Sequence, residues 1–327
     1  MAPRIFITGA TGFIGRVVTE FAVADGYDVH GLSRTDKGDA LLRSLGATPV
    51  RGELTSLDVL RHESAQADIV LHLAFIHDFT GDYEAILATD AAAVDALAAP
   101  LQGTSKPLVI TSGTAVVEPD PSGGETDEEA PPVANPLLPR IRSERHALSW
   151  SERGVRVAAL RLPQYVYGRA DAEGNTTGFA QMLMKLAAQA GESVYIGEGA
   201  NHFSSVYVDD AARLYLLVAK HVAQQNEVKP GGEIFNCTGS TTITYRALAS
   251  AIGAVLRVPV RSITREEAEK RWGTFMTWFV SVENRSSNRK AMQVLGWQPR
   301  GVDLLTEIEK GSYVAMAERL RRGGDGH

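Results

Sequence analysis

Cysteine is almost missing from this 327-residue chain. Cys237 stands alone, which excludes a disulfide framework and any multi-cysteine zinc or iron–sulfur site. No apolar run approaches the ~20 residues that a membrane span needs. No Lys/Arg-rich stripe stands out either, and 33 Lys+Arg against 39 Asp+Glu leave a net charge of −6. Nucleic acid or an anionic membrane is therefore not expected as the main partner, because such binding rests on clustered cations. No His/Cys/Asp/Glu cluster has metal-ligand spacing, so no metal is expected, and no Gly-x-Ser-x-Gly elbow marks a hydrolase. The chain runs into an apolar strand at Ile5 with no charged leader or cleavage site. The expectation is a cytoplasmic protein that acts on a small molecule.

What the chain does have is 44% hydrophobic residues, over a length that suits one large or two coupled domains. Its first half alternates short apolar runs with amphipathic stretches. Strands are expected at 5–8, 28–32, 48–51, 69–73, 108–111 and 155–160. Most are β-branched or Leu-rich without in/out alternation, the pattern of strands covered on both faces. Helices are expected at 13–24, 37–45, 57–64, 83–99 and 138–153. This alternation implies an α/β fold, a Rossmann-type doubly wound parallel sheet. The segment 118–139, rich in Pro, Gly and acidic residues, reads as a long surface excursion, and such excursions are often functional. Beyond residue 160 the expected order is a helix at 179–190, a strand at 206–208, a helix at 210–222 and a strand at 234–236. Helices at 245–255, 265–272, 287–295 and 302–322 follow. The division expected is a dinucleotide-binding domain over 1–168, completed by about 206–236, with a smaller mixed α/β substrate lobe from 169–205 and 237–327.

The first strand enters Thr8-Gly9-Ala10-Thr11-Gly12-Phe13-Ile14-Gly15, and an amphipathic helix follows. Three glycines at this spacing allow a tight turn and a close approach to a pyrophosphate, while the helix N-terminus offers N–H donors. A glycine pattern between a strand and a helix in a β–α repeat is the context such a motif requires. Further strings follow in order: Gly52-Glu53-Leu54, His72-Leu73-Ala74, Val109-Ile110-Thr111-Ser112-Gly113, Arg161-Leu162-Pro163, Val166-Tyr167-Gly168, Val206-Tyr207-Val208-Asp209-Asp210-Ala211 and Leu295-Gly296-Trp297-Gln298-Pro299. Together they resemble the extended short-chain dehydrogenase/reductase superfamily over nearly the whole chain, most of all its NAD-dependent epimerase/dehydratase-like branch.

The end of strand two bears on which dinucleotide is bound. Relatives that use NAD carry an acidic residue there for the ribose hydroxyls; here the stretch is Gly31-Leu32-Ser33-Arg34. Ser33 and Arg34 suit a 2′-phosphate instead, so NADP(H) is expected. The resemblance implies that Glu53 and Leu54 border the adenine. It also implies that Leu73, Ala74 and Thr111 line the path to the nicotinamide, with Pro163 in the same cofactor set.

Reductases of this superfamily use Tyr-x-x-x-Lys on a helix: the tyrosine passes a proton to the carbonyl and the lysine lowers its pKa. No tyrosine of this chain is followed by lysine four positions on. Register with the family puts Arg140 at the tyrosine position and Glu144 at the lysine position. Four apart, they share a helix face and could pair beside the nicotinamide ribose or form an ordinary surface ion pair. The family's catalytic serine falls near Gly113, leaving Ser112 and Thr114 as candidate hydroxyls. His77, in Phe75-Ile76-His77-Asp78-Phe79, and Tyr165 are further candidates for proton transfer. Asn201-His202-Phe203 and the aromatic patch Trp272, Phe275, Met276, Trp278 and Phe279 are expected near the substrate or in the core.

Three activities remain open on this reading. One is an atypical NADP(H)-dependent oxidoreductase for a carbonyl, alcohol or conjugated double bond of a small, aromatic or polyketide-like substrate. Another is a non-redox lyase, isomerase or cyclase on the same fold; the third is a nucleotide-sensing binding protein. Relatives of this kind often pair through the helices expected at 83–99 and 138–153, so the resemblance also implies a homodimer.

Overall fold

A computed structural model describes residues 2–77, 82–134, 139–170 and 178–324. Its first half is a run of strand–helix units: β1 (Arg4–Thr8), α1 (Phe13–Ala24), β2 (Asp28–Ser33), α2 (Asp36–Ser44), β3 (Thr48–Arg51), α3 (Leu57–Gln66), β4 (Ile69–His72), α4 (Tyr83–Ala98), β5 (Pro107–Gly113), α5 (Ile141–Ser149) and β6 (Arg156–Leu162). The second half begins with β7 (Tyr165–Tyr167), α6 (Phe179–Ala190), β8 (Ser193–Ile196), β9 (His202–Tyr207), α7 (Val208–Ala223) and β10 (Glu233–Asn236). It continues with β11 (Ser240–Thr244), α8 (Tyr245–Leu256), β12 (Val260–Ile263), α9 (Arg265–Phe279), α10 (Arg289–Leu295), α11 (Leu304–Lys310) and α12 (Tyr313–Gly324).

Seven parallel strands form the central sheet in the order β3-β2-β1-β4-β5-β6-β10. The expected doubly wound Rossmann architecture is observed. On β1, Ile5 and Ile7 enter one apolar layer with Val17, Val18 and Val218, while Phe6 enters the opposite layer with Leu60, Val94 and Leu97. Both faces are thus dry, which is why the central strands are apolar without alternation. Each such side chain contributes about 1.5–3 kcal/mol on burial. The chain order reverses between β1 and β4, so the cleft beyond their C-terminal ends is where a ligand binds in such a sheet.

The later elements depart more from the sequence reading. The strand expected at 206–208 lies earlier, at His202–Tyr207, and α7 starts at Val208. The helix expected at 302–322 is two, because Gly311 leaves helical geometry at φ −99° and ψ −148°. By contrast, the helix expected at 265–272 continues to Phe279 through a break at Gly273, where φ is +75°. The helix expected from 138 starts at Ile141 and ends in a tighter turn over Trp150–Arg153; Leu138 itself lies outside the described residues. Strands β7, β8, β11 and β12 were not anticipated. They form a three-stranded sheet, β11-β9-β7, and a two-stranded one, β12-β8.

The excursion after β5 is pinned at several points. Val117 bridges Pro132, Thr126 bridges Ser286, and Thr126 N donates to Arg285 O at 2.8 Å. Thr114 donates to Asn284 at 2.7 Å, so the stretch 284–287 closes against the ends of the central strands.

Candidate active site

The glycine loop closes over the β1/β4 switch point. Gly9 has φ +71°, and a Cβ there would stand 2.8 Å from Ala74 N; a Cβ on Gly15 would come within 2.0 Å of Gly9 O. Only glycine permits both the turn and the contact between helix and strand. Gly12 N donates to Gly9 O at 2.9 Å, and Gly12 starts α1 without a side-chain cap. The first amides of α1 are left to an anion, with the half-buried Thr11, Phe13 and Ile14 beside them. This cradle fits a dinucleotide diphosphate.

At the end of β2 the two expected phosphate ligands differ. Ser33 is buried and its hydroxyl donates inward to Thr35 O at 3.1 Å, so its proton is already committed. Arg34 is exposed and has no partner among the described residues. Of the two, Arg34 is the one whose polar group is exposed. Its neighbour Arg51 is tied to Asp36 at 2.5 Å and Asp39 at 2.6 Å. Glu53 is exposed and accepts from Thr55 at 2.8 Å; Leu54 packs on the core edge. Leu73 and Ala74 are half-buried, Pro163 is buried, and Thr111 donates to His72 O at 3.0 Å.

Arg140 reaches the C-terminal end of β5. Its Nη2 donates to Thr111 O at 2.6 Å, and its guanidinium lies 3.5 Å from the centre of the Phe75 ring. Asp90, from α4, approaches Nη1 at 3.5 Å. Nη1 is buried with no hydrogen-bond acceptor among the described residues, and so is the hydroxyl of Ser112, the residue after Thr111. Burial pulls the pKa of Arg140 down and Asp90 pulls it up; a guanidinium stays protonated throughout.

The pairing of Arg140 with Glu144 is corrected by the structure. Arg140 precedes the first turn of α5 and turns to Asp90, whereas Glu144 is buried in a two-pronged pair with Arg161 of β6, at 2.6 and 2.9 Å. Tyr165 is also displaced from the site: it is 0% exposed and packs against Phe203 and Phe279 at 4.4 and 5.7 Å. Thr114 is buried and spends its proton on Asn284. His77 lies 5.5 Å from Phe75, and burial together with the charge of Arg140 holds its imidazole below the usual histidine value. Asp78 and Phe79 fall outside the described residues.

Several groups here were not singled out from the sequence. Tyr83, half-buried at the start of α4, has its ring 6.3 Å from Phe75. Burial raises its pKa while Arg140 opposes the rise. Tyr215 meets Thr111 Oγ1 at 2.7 Å. Asp90 was legible in principle, because it shares the core-facing stripe of α4 with Ile86, Leu87, Val94 and Leu97, and a carboxylate on such a stripe needs a partner.

Of the aromatic patch, Phe279 stacks on Phe179 at 4.1 Å, and Phe275 lies 5.9 Å from it. Trp272 turns away to line a cavity of about 490 Å³ with Tyr195, Tyr245, Leu248 and Ile252. That cavity is built from α6, β8, α8 and α9, and none of the catalytic or cofactor candidates borders it.

A parallel sheet of this order, with a glycine cradle at its switch point and a second lobe beyond its strand ends, defines a dinucleotide-binding α/β protein. The chain belongs to the NAD dependent epimerase/dehydratase family, which it matches over residues 5–237. That family is mostly one of enzymes, and the resemblance to extended short-chain dehydrogenase/reductases is borne out. The chain is 37% identical over 310 residues to an uncharacterized protein of Schizosaccharomyces pombe, covering 95% of this chain and 99% of that one. It is 25% identical over 345 residues to a 2-alkyl-3-oxoalkanoate reductase of Shewanella oneidensis, covering 94% of this chain and 84% of the relative. The solved UDP-glucose 4-epimerase of Thermotoga maritima, with UDP-glucose, shares the fold with a TM-score of 0.73 at 19% identity, over 98% of this chain and 99% of that one. No described helix is long and apolar enough to cross a membrane.

Proposed function

We propose that the chain is an NADP(H)-dependent reductase of a carbonyl on a small, largely apolar molecule, working without Tyr-x-x-x-Lys. The observation that carries this reading is the half-buried guanidinium of Arg140, clipped to the end of β5 beside the Ser112 hydroxyl, which has no partner among the described residues. Both are donors, the kind of group that an oxygen gaining negative charge needs. Bound NADPH supplies the hydride. The open amides of α1 hold its diphosphate, and Arg34 takes the 2′-phosphate. Ser112 donates to the substrate oxygen and Arg140 stabilises the charge that grows on it. Arg140 keeps its own protons, so the proton that oxygen needs comes from the groups around Phe75, Tyr83 or His77. A reductase acting on 2-alkyl-3-oxoalkanoates among the relatives supports the choice of a ketone.

The test is a fluorescence titration of the purified chain with NADPH and with NADH, followed by a screen of 3-oxo compounds for substrate-dependent NADPH consumption. The reading expects NADPH to bind more tightly and to be consumed with one class of ketone. Product formed with the dinucleotide unchanged would favour the lyase or isomerase alternative. Failure of both nucleotides to bind would end the redox reading.

A further inference from the structure

Asp90 occupies the middle of α4 on the face turned to the sheet, 3% exposed, with buried apolar neighbours one turn away on either side. A carboxylate buried there is costly unless it is paired and hydrogen-bonded, and an apolar side chain would serve packing better. Besides the Ser143 hydroxyl, two groups that can carry positive charge answer it. His72 Nε2 lies 3.4 Å from Oδ1, and Arg140 Nη1 lies 3.5 Å from Oδ2.

The far side of His72 is held as well. Thr8 Oγ1 accepts from Ala74 N at 3.3 Å and meets His72 Nδ1 at 2.7 Å. The imidazole is thus fixed at both ring nitrogens, with Nε2 on one oxygen of the Asp90 carboxylate and the other oxygen left to the guanidinium. Burial opposes ionisation of Asp90, but the bond and charge of His72, the charge of Arg140 and the Ser143 hydroxyl prevail and hold its carboxyl below the usual aspartate value.

We propose that Asp90, oriented by His72, is the positioning residue of this site: it locks the guanidinium of Arg140 over Phe75 at the end of β5. The inference rests on the role given to Arg140 above. Three independent anchors support it, since Thr111 O and the Phe75 ring fix one edge and one face of the guanidinium while Asp90 fixes the other edge. The chain Thr8, His72, Asp90, Arg140 also starts beneath the glycine loop, so the same residues that seat the loop after β4 set the guanidinium. A purely structural ion pair has no need to lie at the ligand-binding ends of β1, β4 and β5.

The side chain itself reports its immobilisation. In protein labelled with 15N-arginine, a locked guanidinium shows separate, slowly exchanging Nη–H resonances, and Arg140→Lys identifies which ones belong to Arg140. Asp90→Asn is expected to merge and broaden them while the far-UV circular dichroism stays that of the wild type. His72→Leu, which leaves Asp90 in place but removes its second donor, is the companion variant should Asp90→Asn not fold; it is expected to speed the exchange less. Separate, slow Arg140 resonances in either folded variant would overturn the proposal, as would their absence from the wild type. No substrate enters the measurement, so a carbonyl screen without turnover would sink the reductase reading and leave this result standing on its own.

Discussion

A tyrosine can lend a proton to a carbonyl oxygen and an arginine cannot, so the residue at position 140 divides one task in two. On the proposed reading, charge stabilisation stays with the guanidinium and proton supply moves elsewhere. Arg140→Ala is expected to lower turnover about 10²- to 10³-fold, the usual cost of one preorganised donor, while NADPH affinity holds; unaltered kinetics would remove Arg140 from the chemistry. Tyr83→Phe and His77→Gln then separate the two donors: the true one loses turnover together with the limb of the pH–rate profile that it controls, and the other leaves both in place. For the cofactor, Arg34→Ala should weaken NADPH by about 10- to 100-fold and NADH hardly at all, since a charge-assisted bond is worth ~1.5–3 kcal/mol. An equal loss for both nucleotides would sink the phosphate assignment. At this scale the sequence shows residue types and spacings, and these were enough to expose the glycine loop and the missing tyrosine. They did not show direction. Ser33 carries the right hydroxyl, turned inward. Asp90 carries the decisive charge, but its partners lie 18 and 50 positions away, beyond any local pattern.

Among the elements, α5 shows why spacing alone misassigned a pair. Arg140 and Glu144 are four apart and helically related, Glu144 N donating to Arg140 O at 3.4 Å, but each side chain finds a different partner on a neighbouring element. β6, running beside β5, delivers Arg161 beneath α5, and that guanidinium captures Glu144 with both oxygens while Arg161 also reaches Glu128 O at 3.1 Å. Both members are nearly without solvent, at 4% and 2% side-chain exposure. Removing one partner strands the other: Glu144→Gln should destabilise the fold by about 3–5 kcal/mol in a denaturant titration. A loss below ~1 kcal/mol, as for an exposed pair, would contradict the burial of the bridge. In the first half of the chain the element boundaries were readable because each β–α unit buries one stripe and one strand against a common sheet. The second half mixes short strands with helices broken at Gly273 and Gly311, where no hydrophobic period announces the break.

Across the whole molecule, the two halves meet along a polar seam that the sequence presented only as an acidic, proline-rich excursion. Glu128 lies in it, accepting from Asn236 N at 2.8 Å beside Arg161 and Lys290. Burial pushes its carboxyl above the usual glutamate value, and the nearby amide and cations only partly offset this. A raised folded-state pKa means that the protonated form is preferred in the native protein. The stability it contributes is complete below the unfolded value near 4.5 and is lost as the pH rises through the folded value. Glu128→Gln keeps an oxygen for Asn236 N–H and has no proton to lose. Its melting temperature should match that of the wild type near pH 4 and exceed it at pH 7–8, both read by scanning calorimetry. A variant less stable than the wild type at neutral pH would mean that the attraction of Arg161 and Lys290 for the carboxylate outweighs the cost of burying it, and that the seam is held by charge rather than by hydrogen bonds.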